Sequence, residues 1–265
     1  METLDFETPT LDDTGRVITW TRRTAGRFTE ILSGGITLEM VMIPAGIFQM
    51  GSLPRYGNEE ERPLHWVSVG AFAMGRHLIT QAQWEAVMGT PPKCRFKGRA
   101  LPVERVSWKA ARRFCNQLST KTGRQYQLPS EAQWEYACRA GTSTPFSFGE
   151  TLTTEVANYV GAQTYMREPP GPVRHCTTPS GTFPPNAFGL CDMHGNLWEW
   201  CEDNWLEDYS TATRAGEAYL KRGDVYRAAR GGSWHDPPSS CRSATRLRVL
   251  ESDADEIVGI RVCVV

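Results

Sequence analysis

Leu128-Pro129-Ser130-Glu131-Ala132-Gln133-Trp134-Glu135-Tyr136 carries the strongest local signal in this chain. Ser130 followed by Gln133 is a capping box, in which each side chain satisfies a backbone N–H left open at a helix start. Helical spacing then turns Trp134, Ala137 and Cys138 inward, and Gly141 marks the stop. On the N-terminal side, two more helices carry the same punctuation. Thr80 with Gln83 opens one that runs through Trp84 and Val87 to Gly89. Ser107 opens another, with Ala111, Phe114, Cys115 and Leu118 on one face and Gly123 beyond its end.

Beyond Gly141 turns and short strands take over. The strand candidates are Gly189-Leu190, Trp198 to Cys201, Arg227 to Trp234 and Ile257 to Val264. Before the first helix, Val17-Ile18-Thr19-Trp20 alternates like a short strand. Ile36 to Met42 reads as another, ended by Pro44-Ala45-Gly46. Ser33-Gly34-Gly35 sets residues 1–35 apart as an N-terminal arm or small strand pair, leaving 36–265 as the main domain. With 24 glycines, 17 prolines and sparse periodicity, the chain reads as a loop-rich α+β domain. Nine tryptophans supply large rigid surfaces for its core.

A length of 265 residues suits one large domain, and a net charge of -1 supplies no field for nucleic acid or an anionic membrane. Basic runs, phosphate-loop glycines and dinucleotide-binding glycines are missing from the sequence. So is any apolar run long enough to span a bilayer, and the acidic start from Met1 to Glu7 lacks the apolar centre of a secretory signal. The expectation is a soluble, cytoplasmic monomer with no nucleic-acid or membrane partner. Its 8 cysteines, at 94, 115, 138, 176, 191, 201, 241 and 263, then read as reduced thiols, and no CxxC pair suggests a zinc ribbon.

Several segments in order resemble the formylglycine-generating enzymes, also called sulfatase-modifying factors. They are Met42 to Gly46, Met50-Gly51, Thr80 to Trp84, Pro102 to Trp108 and Leu128 to Tyr136. Phe183 to Leu190, Gly195 to Trp200 and Gly259-Ile260-Arg261 complete the set. The resemblance covers about residues 36 to 265 and implies a C-type-lectin-like fold. It also implies a structural calcium site, with side-chain oxygens from Asp192 and Glu199 and backbone carbonyls from Gly195 and Leu197. Calcium is a hard cation that wants several oxygens. The aspartate of the family's second calcium site falls near Pro172, so only Asn158 and Tyr159 match there.

The active-site strand and loop of these enzymes correspond to Arg230-Gly231-Gly232-Ser233-Trp234-His235-Asp236-Pro237-Pro238-Ser239-Ser240-Cys241. In the family, two cysteines five residues apart bind copper and handle the substrate thiol. Cys241 matches the second. The first falls on Asp236, a hard ligand where copper(I) needs a soft thiolate. Copper is therefore not expected, and Cys241 with Ser233, which matches an active-site serine, remains a vestigial catalytic candidate. Cys115 matches one cysteine of a family disulfide, and Cys263 lies one residue past the other. His235 and Asp236 are chain neighbours that point opposite ways, so they do not orient each other for base catalysis. His175 and His194 lie in loops without metal-ligand spacing.

The C-terminal region further resembles the variable proteins of diversity-generating retroelements. Framework residues Cys241, Arg242, Ser243, Ala244 and Arg246 are interleaved with heterogeneous positions. Those positions are His235, Asp236, Pro237, Ser239, Ser240, Thr245, Leu247, Val249 and Asp255. They are the expected ligand-binding surface, for a protein or other macromolecule. A loop-rich platform suits that role because recognition residues change there without disturbing a core. The alternative is an oxidase acting on a peptide cysteine with a degraded copper site. A third reading is a scaffold module whose arm docks a partner.

Overall fold

Three helices form where their capping residues put them: α1 Gln81–Met88, α2 Trp108–Thr122 and α3 Glu131–Arg139. Both capping boxes close, at Thr80 and at Ser130. Gly89 and Gly123 end α1 and α2 in the left-handed region. In α3 the stop comes one residue before Gly141: Ala140 takes φ 46°, and its N–H bonds the Tyr136 carbonyl. A computed structural model describes residues 2–55 and 57–265 of the chain.

The strands are β1 Glu2–Leu11, β2 Val17–Ile31, β3 Thr37–Ile43, β4 Gly46–Met50, β5 His65–Val69 and β6 Phe72–Gly75. After them come β7 Tyr126–Gln127, β8 Trp198–Asn204, β9 Tyr226–Arg230, β10 Arg246–Leu250, β11 Val258–Gly259 and β12 Cys263–Val264. One sheet runs β1-β2-β3-β6-β12-β7, a second β10-β9-β8-β11, and β4 pairs with β5 alone. Residues 2–31 thus form a strand pair continuous with the main sheet. β2 pairs with β3, and Leu4 and Phe6 of β1 are buried in a core shared with α3.

Gly189-Leu190 forms a turn, not a strand. The Asn186 carboxamide oxygen accepts the N–H groups of Phe188 and Leu190, and Gly189 sits at φ 89°. The largest core gathers Trp84, Trp108, Trp198 and Trp200 with the inner face of α2. A second core surrounds Trp134 of α3. Between them the second sheet presents the β9–β10 connection, which holds the segment from Gly231 to Thr245. Among the described residues, no helix is long and apolar enough to cross a membrane.

Candidate functional site

Gly231 and Gly232 leave β9 with φ of 105° and 75°, conformations that side-chain-bearing residues rarely adopt. A Cβ on Gly232 would lie 2.5 Å from the Cys241 sulfur, so only glycine lets the backbone pass that thiol. Asp236 is engaged in holding the loop. One carboxylate oxygen accepts the Trp198 indole N–H at 2.8 Å and the Ser233 hydroxyl, and the backbone carbonyl accepts the Val160 N–H at 2.9 Å.

Cys241 is fully buried. Burial, reinforced by the negative charge of Asp236, pushes its thiol well above the ordinary 9.0. Nucleophilic and soft-metal chemistry both need the thiolate, and this environment holds the proton on. Asp236 thus adds to burial in opposing ionisation of Cys241. Behind the thiol, Ser147 donates its backbone N–H to Nε2 of His194 at 3.0 Å, while Nδ1 lies 2.8 Å from the Cys241 carbonyl. Nε2 must therefore be the bare nitrogen and Nδ1 the donor. Burial holds this imidazole down at about 4, neutral at physiological pH. The sequence showed His194 only as a loop residue; the structure makes it the strut of the Cys241 backbone.

The framework arginines face inward. Arg230 binds Glu135 and the carbonyls of Ser243 and Thr245. Arg246 grips Glu131 with two N–H groups at 2.7 and 2.9 Å, and Arg242 grips Glu61 at 2.9 and 2.6 Å. Burial alone would raise both acids, but their arginines outweigh it and hold Glu131 and Glu61 below the usual carboxylate range. These partners were missed from sequence. The available signal was the pair Glu131 and Glu135 in a buried helix of a chain rich in C-terminal arginine.

At the expected calcium positions several oxygens already meet protein donors. Both oxygens of Glu199 are taken by Arg261 at 2.8 Å, and Trp134 adds a third bond at 2.7 Å. Asp192 accepts the Gly181 N–H at 2.8 Å, and burial raises its carboxyl. The Gly195 carbonyl accepts the Leu197 N–H at 3.0 Å. Arg261 thus neutralises Glu199, while Oδ1 of Asp192 and Oδ1 of Asn158 are buried without a hydrogen-bond partner among the described residues. No cluster of three or more His, Cys, Asp or Glu side chains suited to a metal occurs among the described residues.

The expected ligand surface divides. His235, Ser239 and Asp255 are exposed, and Asp236, Pro237 and Ser240 are half-buried. Thr245 is buried, its hydroxyl donating to the Ser239 carbonyl, and Leu247 and Val249 pack against the largest core. Strand alternation on β10 sends Arg248 outward and these two neighbours inward. His235 and Asp255 line one shallow cleft of about 490 Å³, together with Arg105, Glu256 and Ile257.

This loop, its arginine frame and the surrounding sheets define a C-type-lectin-like scaffold of the formylglycine-generating type. Residues 36–264 match the family described as the sulfatase-modifying factor enzyme 1-like domain, and the chain belongs to it. The formylglycine-generating enzyme of Mycobacterium tuberculosis is 29% identical, over 84% of this chain and 96% of its own. PvdO from Pseudomonas aeruginosa superposes with a TM-score of 0.78 at 32% identity, covering 85% of this chain and 94% of that one. Treponema denticola variable protein 1 also superposes at 0.78, with 23% identity over 90% and 98% of the two chains, a likeness of fold. The chain spans 37% of the length of serine/threonine-protein kinase pkn1 from Chlamydia caviae, to which it is 28% identical over 84% of its own residues.

Proposed function

We propose that this protein binds a protein or other macromolecular ligand on the surface built by residues 235–240 and 254–257. One observation carries the proposal: His235 and Asp255, twenty residues apart, share one cleft over an ion-paired frame. The exposed side chains there, His235, Ser239 and Asp255, can change without entering the core, whereas the Cys241 thiol behind the loop is buried and its ionisation is opposed by burial and by Asp236. Treponema denticola variable protein 1 uses the same fold, which supports a surface diversified by a retroelement.

Sequencing of the genomic locus tests this. The expected result is a reverse transcriptase gene and a near-copy of codons 230–265 that differs at adenines, with differences at His235, Ser239 and Asp255. Absence of any near-copy overturns the diversified surface. Oxidation of a peptide cysteine is tested separately, by copper(I) titration and by oxygen uptake with a cysteine-containing peptide. Neither tight copper binding nor uptake is expected.

A further inference from the structure

We propose that the open edge of β4 docks an extended peptide segment of a partner protein, apolar in character with one basic side chain. Within its sheet, β4 pairs with β5 alone. Ser68 on β5 directs its N–H and carbonyl away from β4, to Arg214 at 2.9 Å and to Gly216 at 2.8 Å. In an antiparallel ladder, a residue facing away from its neighbour strand sits opposite one that does the same. Ile47 is opposite Ser68, and Gln49 follows two residues later, opposite Trp66. Ile47 and Gln49 therefore direct their N–H and carbonyl groups off the free edge, where they meet no partner among the described residues.

Exposed edges are usually blunted by lysine, proline or other charge. The β4 sequence Gly-Ile-Phe-Gln-Met carries none of these. Instead Ile47, Leu53 and Trp66 stand 68%, 44% and 56% exposed around it. The edge opens into a groove of about 650 Å³ that reaches Gly141 to Pro145, a size typical of ligand sites. Phe48, Tyr136 and Phe188 line it, with ring centres 5.3 and 5.6 Å apart in succession.

Charge selects the occupant. The groove arginines, Arg139 and Arg242, are already paired with Glu135 and Glu61. Glu150, also in the lining, is exposed and has no cation among the described residues. The uncompensated charge is negative, so a basic side chain fits it. Two outward N–H and carbonyl pairs fit a peptide backbone, which supplies affinity by strand addition while alternate side chains supply selectivity. Five residues of β4 offer roughly 17 Å of edge.

The experiment titrates the full chain with fluorescent short peptides of alternating apolar residues around a central lysine, followed by anisotropy. The same peptides N-methylated at alternate residues serve as the backbone control. Ile47→Pro removes an outward N–H that β5 does not use, so the hairpin can persist. Saturable binding is expected, weakened about tenfold or more by N-methylation and by Ile47→Pro. Replacing the peptide lysine by glutamate should weaken it, and Glu150→Lys should restore it. No saturation up to about 1 mM, or binding indifferent to N-methylation, overturns the proposal. Should Ile47→Pro fail to fold, the N-methylated peptides decide alone. Sedimentation showing that the protein self-associates through this edge would make the occupant a second copy and also overturn it.

Discussion

His194 couples the loop around Cys241 to acidity. Its imidazole is held down at about 4 against an ordinary 6.5, first by burial. A base with a depressed folded pKa stabilises the native state fully above its unfolded pKa and loses that contribution as pH falls toward the folded one. A gap of this size corresponds to about 3 kcal/mol. Chemical denaturation between pH 6.5 and 5 should therefore show falling stability. His194→Gln, which cannot titrate, should flatten that slope although it lowers stability throughout. An unchanged slope would mean that His194 is not the group responsible. Gly232 makes a second test at this scale. Gly232→Ala forces φ of 75° on a side chain and a Cβ to within 2.5 Å of the Cys241 sulfur. Urea unfolding should show a loss of about 3 kcal/mol or more, while Gly34→Ala, which shares the left-handed backbone at φ 72° but meets nothing within 4 Å, should cost only the backbone strain and so less.

The elements divide by how local their causes are. The helices were legible because a capping box closes within four residues, and the same hydrogen bonds appear at Thr80 and Ser130 in the structure. The strand expected over Arg227 to Trp234 stops at Arg230, because Gly231 and Gly232 take left-handed backbone that cannot continue a strand. The inward turn of Thr245, Leu247 and Val249 was not legible, because it depends on how β10 registers against β9, a non-local fact. The partners of Arg242 and Arg246 lie 181 and 115 residues away in sequence, beyond any local pattern. The N-terminal hairpin was visible as a strand pair but not as part of the sheet. Its integration predicts that Phe6→Ala, which empties a site packed with Leu4 against the α3 core, costs about 3 kcal/mol or more by thermal or urea unfolding. A detached arm would leave global stability unchanged.

Across the whole molecule, buried ion pairs and buried thiols take the place of extensive regular structure. Glu131 joins α3 to β9 and β10 through Arg230 and Arg246. Removing one charge from a buried set strands the others. Glu131→Gln should therefore destabilise by about 3–5 kcal/mol, read from urea midpoints at constant slope. The cysteines report on the same packing. All 8 are free, 7 are buried and only Cys176 is partly exposed. Burial raises Cys115 and Cys138 to about 12 and Cys263 well above its ordinary value, which slows reaction with thiol reagents because the thiolate is the reacting form. Titration of the native protein with an aromatic disulfide reagent should label one thiol quickly and the remainder only as the chain unfolds. Under denaturing conditions without reductant the total should reach eight. A total of six would reveal a disulfide, with Cys115 and Cys263, close enough that Cys115 opposes ionisation of Cys263, as the pair to test by Cys115→Ala. Several fast thiols in the native state would mean that the interior opens far more readily than this frame of arginine–glutamate pairs allows.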